Sequence, residues 1–108
     1  EHVSYIGEMV KVNSLTDRLL KLVELGDAYI ILKGGTGTLL ELSMIWECMN
    51  KGVMRAKPAI AYGEFWRPVI EALNAEMKYE GLERLSKFIK FAKKPEECLN
   101  ILKFNRYP

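Results

Sequence analysis

The sequence predicts an α/β fold, a Rossmann-like parallel sheet flanked by helices. Three observations predict it. Short apolar runs rich in β-forming residues alternate with amphipathic helical stretches along the chain. Two of those runs, residues 28–32 and 57–63, lack strict polar alternation, as strands buried on both faces do. A glycine-rich turn, Gly34-Gly35-Thr36-Gly37-Thr38, joins the first of these runs to a helical stretch. The 108 residues, 49% of them apolar, suffice for one small core and are too few for two ordinary domains.

The opening residues are mixed, and Glu8-Met9-Val10-Lys11-Val12 alternates weakly enough to fit a strand. Asn13 or Ser14 offers a helix cap, with Asp17 in the first turn where the helix dipole favours an anion. Leu15, Leu19, Leu22 and Val23 share one helical face, and Gly26 ends the pattern as a C-terminal glycine. Asp27 opens the buried strand Ala28-Tyr29-Ile30-Ile31-Leu32. After the glycine turn a helix is expected from about Thr38 to Asn50, with Leu39, Leu42, Trp46 and Met49 inward and Lys51-Gly52 closing it. Lys57-Pro58 leads into a second buried strand, with the proline tolerated at its start. A helix follows with Pro68 in its first turn and Val69, Ile70, Leu73 and Met77 on one face. Phe88-Ile89-Lys90-Phe91 alternates as a last strand. Pro95-Glu96-Glu97 starts a final helix with Cys98, Leu99 and Leu102 inward. Right-handed crossovers between such strands give a parallel sheet.

Charge excludes some functions. The net charge is only +2, so neither nucleic acid nor a membrane is expected as a partner. From Arg84 onward there are seven Lys or Arg and two Glu, which reads as a solvated charged face, with a weak nucleic-acid patch as the alternative. Cys48 and Cys98 have no metal-type spacing and lie in apolar helical patterns, as reduced core residues of a cytoplasmic protein would. The single histidine, His2, lies at the extreme end, and no metal site is expected. No apolar run approaches transmembrane length, and no signal-peptide pattern is present.

The glycine turn carries the chemistry. Ligands of open α/β sheets bind after the carboxyl end of a strand and before a helix. Glycines there let a ligand approach the main chain, and the free N–H groups of the first helical turn attract an anion. Gly34, Gly35, Thr36, Gly37 and Thr38 are therefore candidate phosphate-binding residues, with the threonine hydroxyls as extra donors. Neither GxxxxGK[ST] nor GxGxxG is present, so the ATPase-type phosphate loop and the dinucleotide fingerprint are excluded. A tight turn that needs glycine and binds nothing would use the same residues. Thr38-x-x-Glu41 also has the form of a capping box, which would occupy Glu41 without chemistry. Arg18 has an equally plain alternative, a surface pair with Asp17 or Glu24.

At these residues the sequence resembles a known family. Gly34-Gly35-Thr36-Gly37-Thr38-Leu39-Leu40-Glu41 is similar to the GGxGTxxE motif of the Lonely Guy (LOG) family of cytokinin-activating phosphoribohydrolases, formerly labelled possible lysine decarboxylases. Asp17-Arg18-Leu19 and Gly26-Asp27-Ala28 stand where that family has its upstream signature, and residues 57–58 and the strand after them also fit. The resemblance implies a Rossmann-like fold, a homodimer or higher homo-oligomer, and no cofactor. It implies hydrolysis of the N-glycosidic bond of a nucleoside 5′-monophosphate, releasing base and ribose 5-phosphate. Carried over, it makes Arg18 and Glu41 catalytic and residues 34–38 the phosphate loop. Two positions depart from the pattern: Lys33 stands where the family has Pro, and Leu19 where it has Lys. Lysine decarboxylation would need a pyridoxal phosphate site, which the sequence does not present. A second reading is a non-catalytic nucleotide- or cofactor-binding protein of the same fold, like the molybdenum-cofactor carriers. A third is a structural piece without activity.

The family's first half supplies further strands and a further glycine-rich contact to the nucleotide, and no counterpart is read before Glu8. The chain is thus expected to be a single LOG-like domain lacking its N-terminal half. The strand before the glycine turn is then expected to lack a neighbour on one edge, so that these residues would not form a self-contained monomer.

Overall fold

The computed structural model describes residues 3–6 and 14–104, the first four by backbone alone. Within these, β1 (Val3–Ile6), β2 (Ala28–Ile31), β3 (Ala59–Tyr62) and β4 (Ile89–Ala92) form one parallel sheet in chain order. They alternate with α1 (Leu15–Leu25), α2 (Thr36–Asn50), α3 (Arg67–Tyr79) and α4 (Pro95–Phe104). Each strand lies beside its successor. Right-handed crossovers that always step in the same direction place their helices on the same face. The core reflects this. Tyr29, Ile31, Ala59 and Ala61 meet Leu42, Ile45, Trp46 and Met49 of α2 and Ile70 of α3, with Leu22 and Val23 of α1 packed alongside. On the other face Ile60 and Ala92 meet Cys98 of α4, with Ile101 and Leu102 at the margin. Leu42, Ile45, Ile60 and Ile70 are fully buried, each stabilising the fold by about 1.5–3 kcal/mol. Cys48 and Cys98 are buried free thiols. No helix among the described residues is long and apolar enough to cross a membrane.

Several elements follow from their sequence as expected. Ser14 is extended at φ −152°, and its Oγ accepts the Asp17 N–H at 3.1 Å, so α1 starts on its cap. Pro68 occupies the first turn of α3. Other expectations fail for identifiable reasons. The strand proposed at residues 8–12 lies outside the described residues, and β1 is found earlier, at Val3–Ile6. Because β1 pairs with β2, the strand before the glycine turn has a neighbour on each edge. The reason for expecting another chain on the edge of β2 therefore falls away.

Leu73 and Leu99 do not point inward; they are 44% and 53% exposed. On α3 the inward line runs through Trp66, Ile70 and Met77, which leaves Leu73 on the flank and Val69 exposed. Leu99 borders an apolar cleft beside Ile30 and Leu32, where α4 leaves the sheet incompletely covered. A 3₁₀ turn at Glu83–Phe88 precedes β4; the Trp46 Nε1–H donates to the Leu85 carbonyl at 3.1 Å and ties that turn to α2.

Gly26 needs no left-handed backbone. Its φ is −75° and ψ 131°, an extended conformation open to any residue. What excludes a side chain is the Tyr29 ring, which lies where a Cβ would stand. Replacing Gly26 with Ala is therefore expected to destabilise the protein by about 1–3 kcal/mol, the usual range for overpacking. Urea denaturation of the variant measures this, and an unchanged midpoint would mean that the ring tolerates the methyl group.

Candidate functional site

β2 ends at Ile31, and the chain turns through Leu32, Lys33, Gly34 and Gly35 into α2. The helix begins at Thr36, two residues earlier than expected, with Gly35 at its cap position and no side-chain cap. Its first intrahelical bond runs from the Leu39 N–H to the Gly35 carbonyl at 3.0 Å. The N–H groups of Thr36, Gly37 and Thr38 come before that bond and have no acceptor within the helix. No acidic residue lies in the first turn to occupy them. Three convergent donors at the positive end of a helix dipole are suited to an anion.

The three glycines of the turn differ in what demands them. A Cβ on Gly34 would collide with the Thr38 hydroxyl, which packs against the Gly34 backbone. Thr38 is accordingly buried, whereas Thr36 is exposed. Gly35 and Gly37 face open space, and neither has a positive φ. Glycine inside a helix costs about 1 kcal/mol relative to Ala. Neither packing nor backbone conformation requires it at Gly37, so the clearance above the turn lies toward solvent.

The early start of α2 removes the capping box. Thr38 is the third helical residue and Glu41 the sixth, too far along to reach back to the cap amide. Glu41 is instead buried, 5% exposed, and its Oε2 lies 3.9 Å from Nη2 of Arg18 on α1. Arg18 thus faces across to α2, not along its own helix to Asp17 or Glu24. At that distance the two are a charge pair without a tight hydrogen bond. The Arg18 Nε is buried and finds no acceptor among the described residues. The pair therefore keeps hydrogen-bonding capacity for a third group. Burial pushes the Glu41 carboxyl above its ordinary value of 4.5, and the Arg18 charge offsets this only in part. Thr38 and Glu41, three residues apart, share one face of α2. The Glu41 backbone lies about 4.5 Å along the helix axis from that of Thr38.

Arg18, Glu41 and the 34–38 turn thus converge at the amino end of α2. Lys33 is exposed beside the turn. Two clefts lie elsewhere. One, of about 500 Å³, is walled by Ile30, Leu32, Pro95, Cys98 and Leu99 on the opposite face. The other runs between α2 and α3 past Glu47, Glu76 and Glu80. Neither contains the glycine turn. Among the described residues no cluster of His, Cys, Asp or Glu could hold a metal ion.

The model of a family described as possible lysine decarboxylase matches residues 1–102, a span that includes Arg18, the glycine turn and Glu41. No curated protein matches the chain.

The raised pKa of Glu41 has a consequence for stability. The folded protein holds this proton more tightly than the unfolded chain does. The corresponding stabilisation is complete below the ordinary carboxyl value of 4.5 and is lost as pH rises through the raised folded value. Glu41→Gln removes that loss, so its stability relative to wild type should be greater at about pH 7 than at about pH 4. Denaturation of both proteins at the two pH values measures the difference. A constant difference would show that Glu41 titrates as an ordinary carboxyl.

Proposed function

The chain belongs to the possible lysine decarboxylase family, and on that premise we propose that it is a nucleoside 5′-monophosphate phosphoribohydrolase resembling the Lonely Guy enzymes. In this reading the substrate phosphate sits on the amides of Thr36, Gly37 and Thr38, with Gly35 and Gly37 leaving room for its approach. The bond between ribose C1′ and the base nitrogen breaks, and the base leaves with the electron pair. A water oxygen bonds to C1′, and its proton passes to the leaving base. The transition state carries positive charge on the ribose, which the Glu41 carboxylate stabilises. Arg18 holds the ribose or phosphate with the N–H groups that the charge pair leaves free. The proposed active species is a homodimer, which light scattering on the chain in solution checks.

The observation that carries the reading is the burial of Glu41 opposite Arg18 on the helix whose amino end is the glycine turn. A carboxylate kept from water exerts more electrostatic force on a nearby developing charge than an exposed one. The stabilising form is ionised, so the acidic limb of the pH–rate profile should lie above 4.5.

The test is the release of adenine and ribose 5-phosphate in equal amounts from AMP. Glu41→Gln should lower turnover about a hundredfold while leaving affinity for AMP within a few-fold. Gly35→Val should abolish binding of AMP by crowding the main chain while leaving the fold intact, since a Cβ at Gly35 meets no other atom within 4 Å. Unaltered turnover in Glu41→Gln would remove the carboxylate from the mechanism, and nucleotide bound but never cleaved would leave a nucleotide-binding protein without this activity.

A further inference from the structure

Lys57 is 7% exposed, and its ammonium is directed at backbone oxygens. Nζ donates to the Gly26 carbonyl at 2.7 Å and to the Val23 carbonyl at 2.8 Å, with the Tyr29 hydroxyl at 3.5 Å. These carbonyls belong to the C-terminal end of α1. The last four carbonyls of a helix lack intrahelical donors, and they form the negative end of its dipole. α1 has no basic residue in its own last turn to meet them. Tyr29 supplies a further donor, its hydroxyl lying 3.0 Å from the Leu22 carbonyl and 3.2 Å from that of Val23, and the Gly26 N–H also donates to Leu22. Burial and the Arg55 charge push the Lys57 pKa down, while Asp27 works in the opposite direction.

Among the described residues, α1 is lightly held: none of its residues is buried, and Leu22 and Val23 are the ones packed against the core. The charge pair from Arg18 to Glu41 is a further tie. A helix held at one end by buried hydrogen bonds presents its outer turns at a fixed angle. Without that hold, Arg18 would be free to move away from Glu41.

We propose that Lys57 is a positioning residue: by fixing the C-terminal carbonyls of α1 against the sheet, it holds Arg18, about two turns up the same helix, opposite Glu41. The functional part of this inference rests on reading Arg18 and Glu41 as the site. The test variant is Lys57→Met, which keeps the length and removes the donors. Hydrogen exchange on the whole chain should show the amides of residues 15–25 exchanging about tenfold faster, as loss of a buried carbonyl's partner implies. Those of residues 36–50 should be unchanged. Turnover of AMP should fall about tenfold in the wild-type background and not at all further in Arg18→Ala, the signature of one residue acting through another. Equal acceleration in every helix, unchanged exchange in α1, or independent losses in the two backgrounds would overturn the proposal. Should Lys57→Met fail to fold, Tyr29→Phe removes a donor from the same carbonyls. It should speed exchange in α1 alone, and unchanged exchange there would overturn the proposal equally. If the wild type releases no adenine, the proposed activity fails and the exchange result alone decides whether Lys57 holds α1.

Discussion

The Glu41 carboxylate is buried opposite the Arg18 guanidinium, and α1 and α2 must both be placed to bring the two together. Removing two charges from water is expensive, and a buried ion pair is weak evidence of stabilisation. Apolar side chains of similar volume would hold α1 to α2 at least as well. What such side chains cannot provide is a carboxyl with an elevated pKa beside a guanidinium with donors to spare. Perturbed groups of this kind tend to gather at functional sites, which is what the proposed role of the pair rests on.

The fold accommodates it through topology. Sequential parallel strands place α1 and α2 on one face of the sheet, so residues on the two helices can meet. α2 is fixed by Leu42, Ile45, Trp46 and Met49 in the main core, and this fixes Glu41 with it. Its amino end is left uncapped by any side chain, and two of its flanking glycines face open space. α1 is the more lightly held element. It depends on Lys57 and Tyr29 at one end and on the charge pair nearer the other. A rigid donor cluster on one helix and a more loosely tethered cation on the next could admit a ligand between them.

Much of this was legible in the sequence where the determinants are local. Apolar runs rich in β-formers placed β2 and β3, Ser14 placed the start of α1, and the glycine motif placed the turn before α2. Where two local patterns compete, the sequence was ambiguous. Thr38-x-x-Glu41 has the spacing of a capping box, yet glycines at 34 and 35 let the helix begin at Thr36 and carry Glu41 past the cap. Gly26 stands where a left-handed cap residue would, but its absent side chain serves the ring of Tyr29. Contacts between distant residues had no local signature. Arg18 has acidic neighbours in sequence and pairs with none of them, and nothing before β3 announces that Lys57 reaches the end of α1. Helical periodicity overstated the core at Leu73 and Leu99, because it reports a face and not whether anything covers it.

Glu41 is a buried carboxyl held near Arg18 and not a helix cap. Carbon-13 NMR titration of its side-chain carboxyl, in wild type and in Arg18→Ala, tests this most directly. A midpoint above 4.5 in the wild type, moving higher still when the guanidinium is removed, is the predicted result. A midpoint at or below 4.5, or one that Arg18→Ala leaves in place, would contradict it.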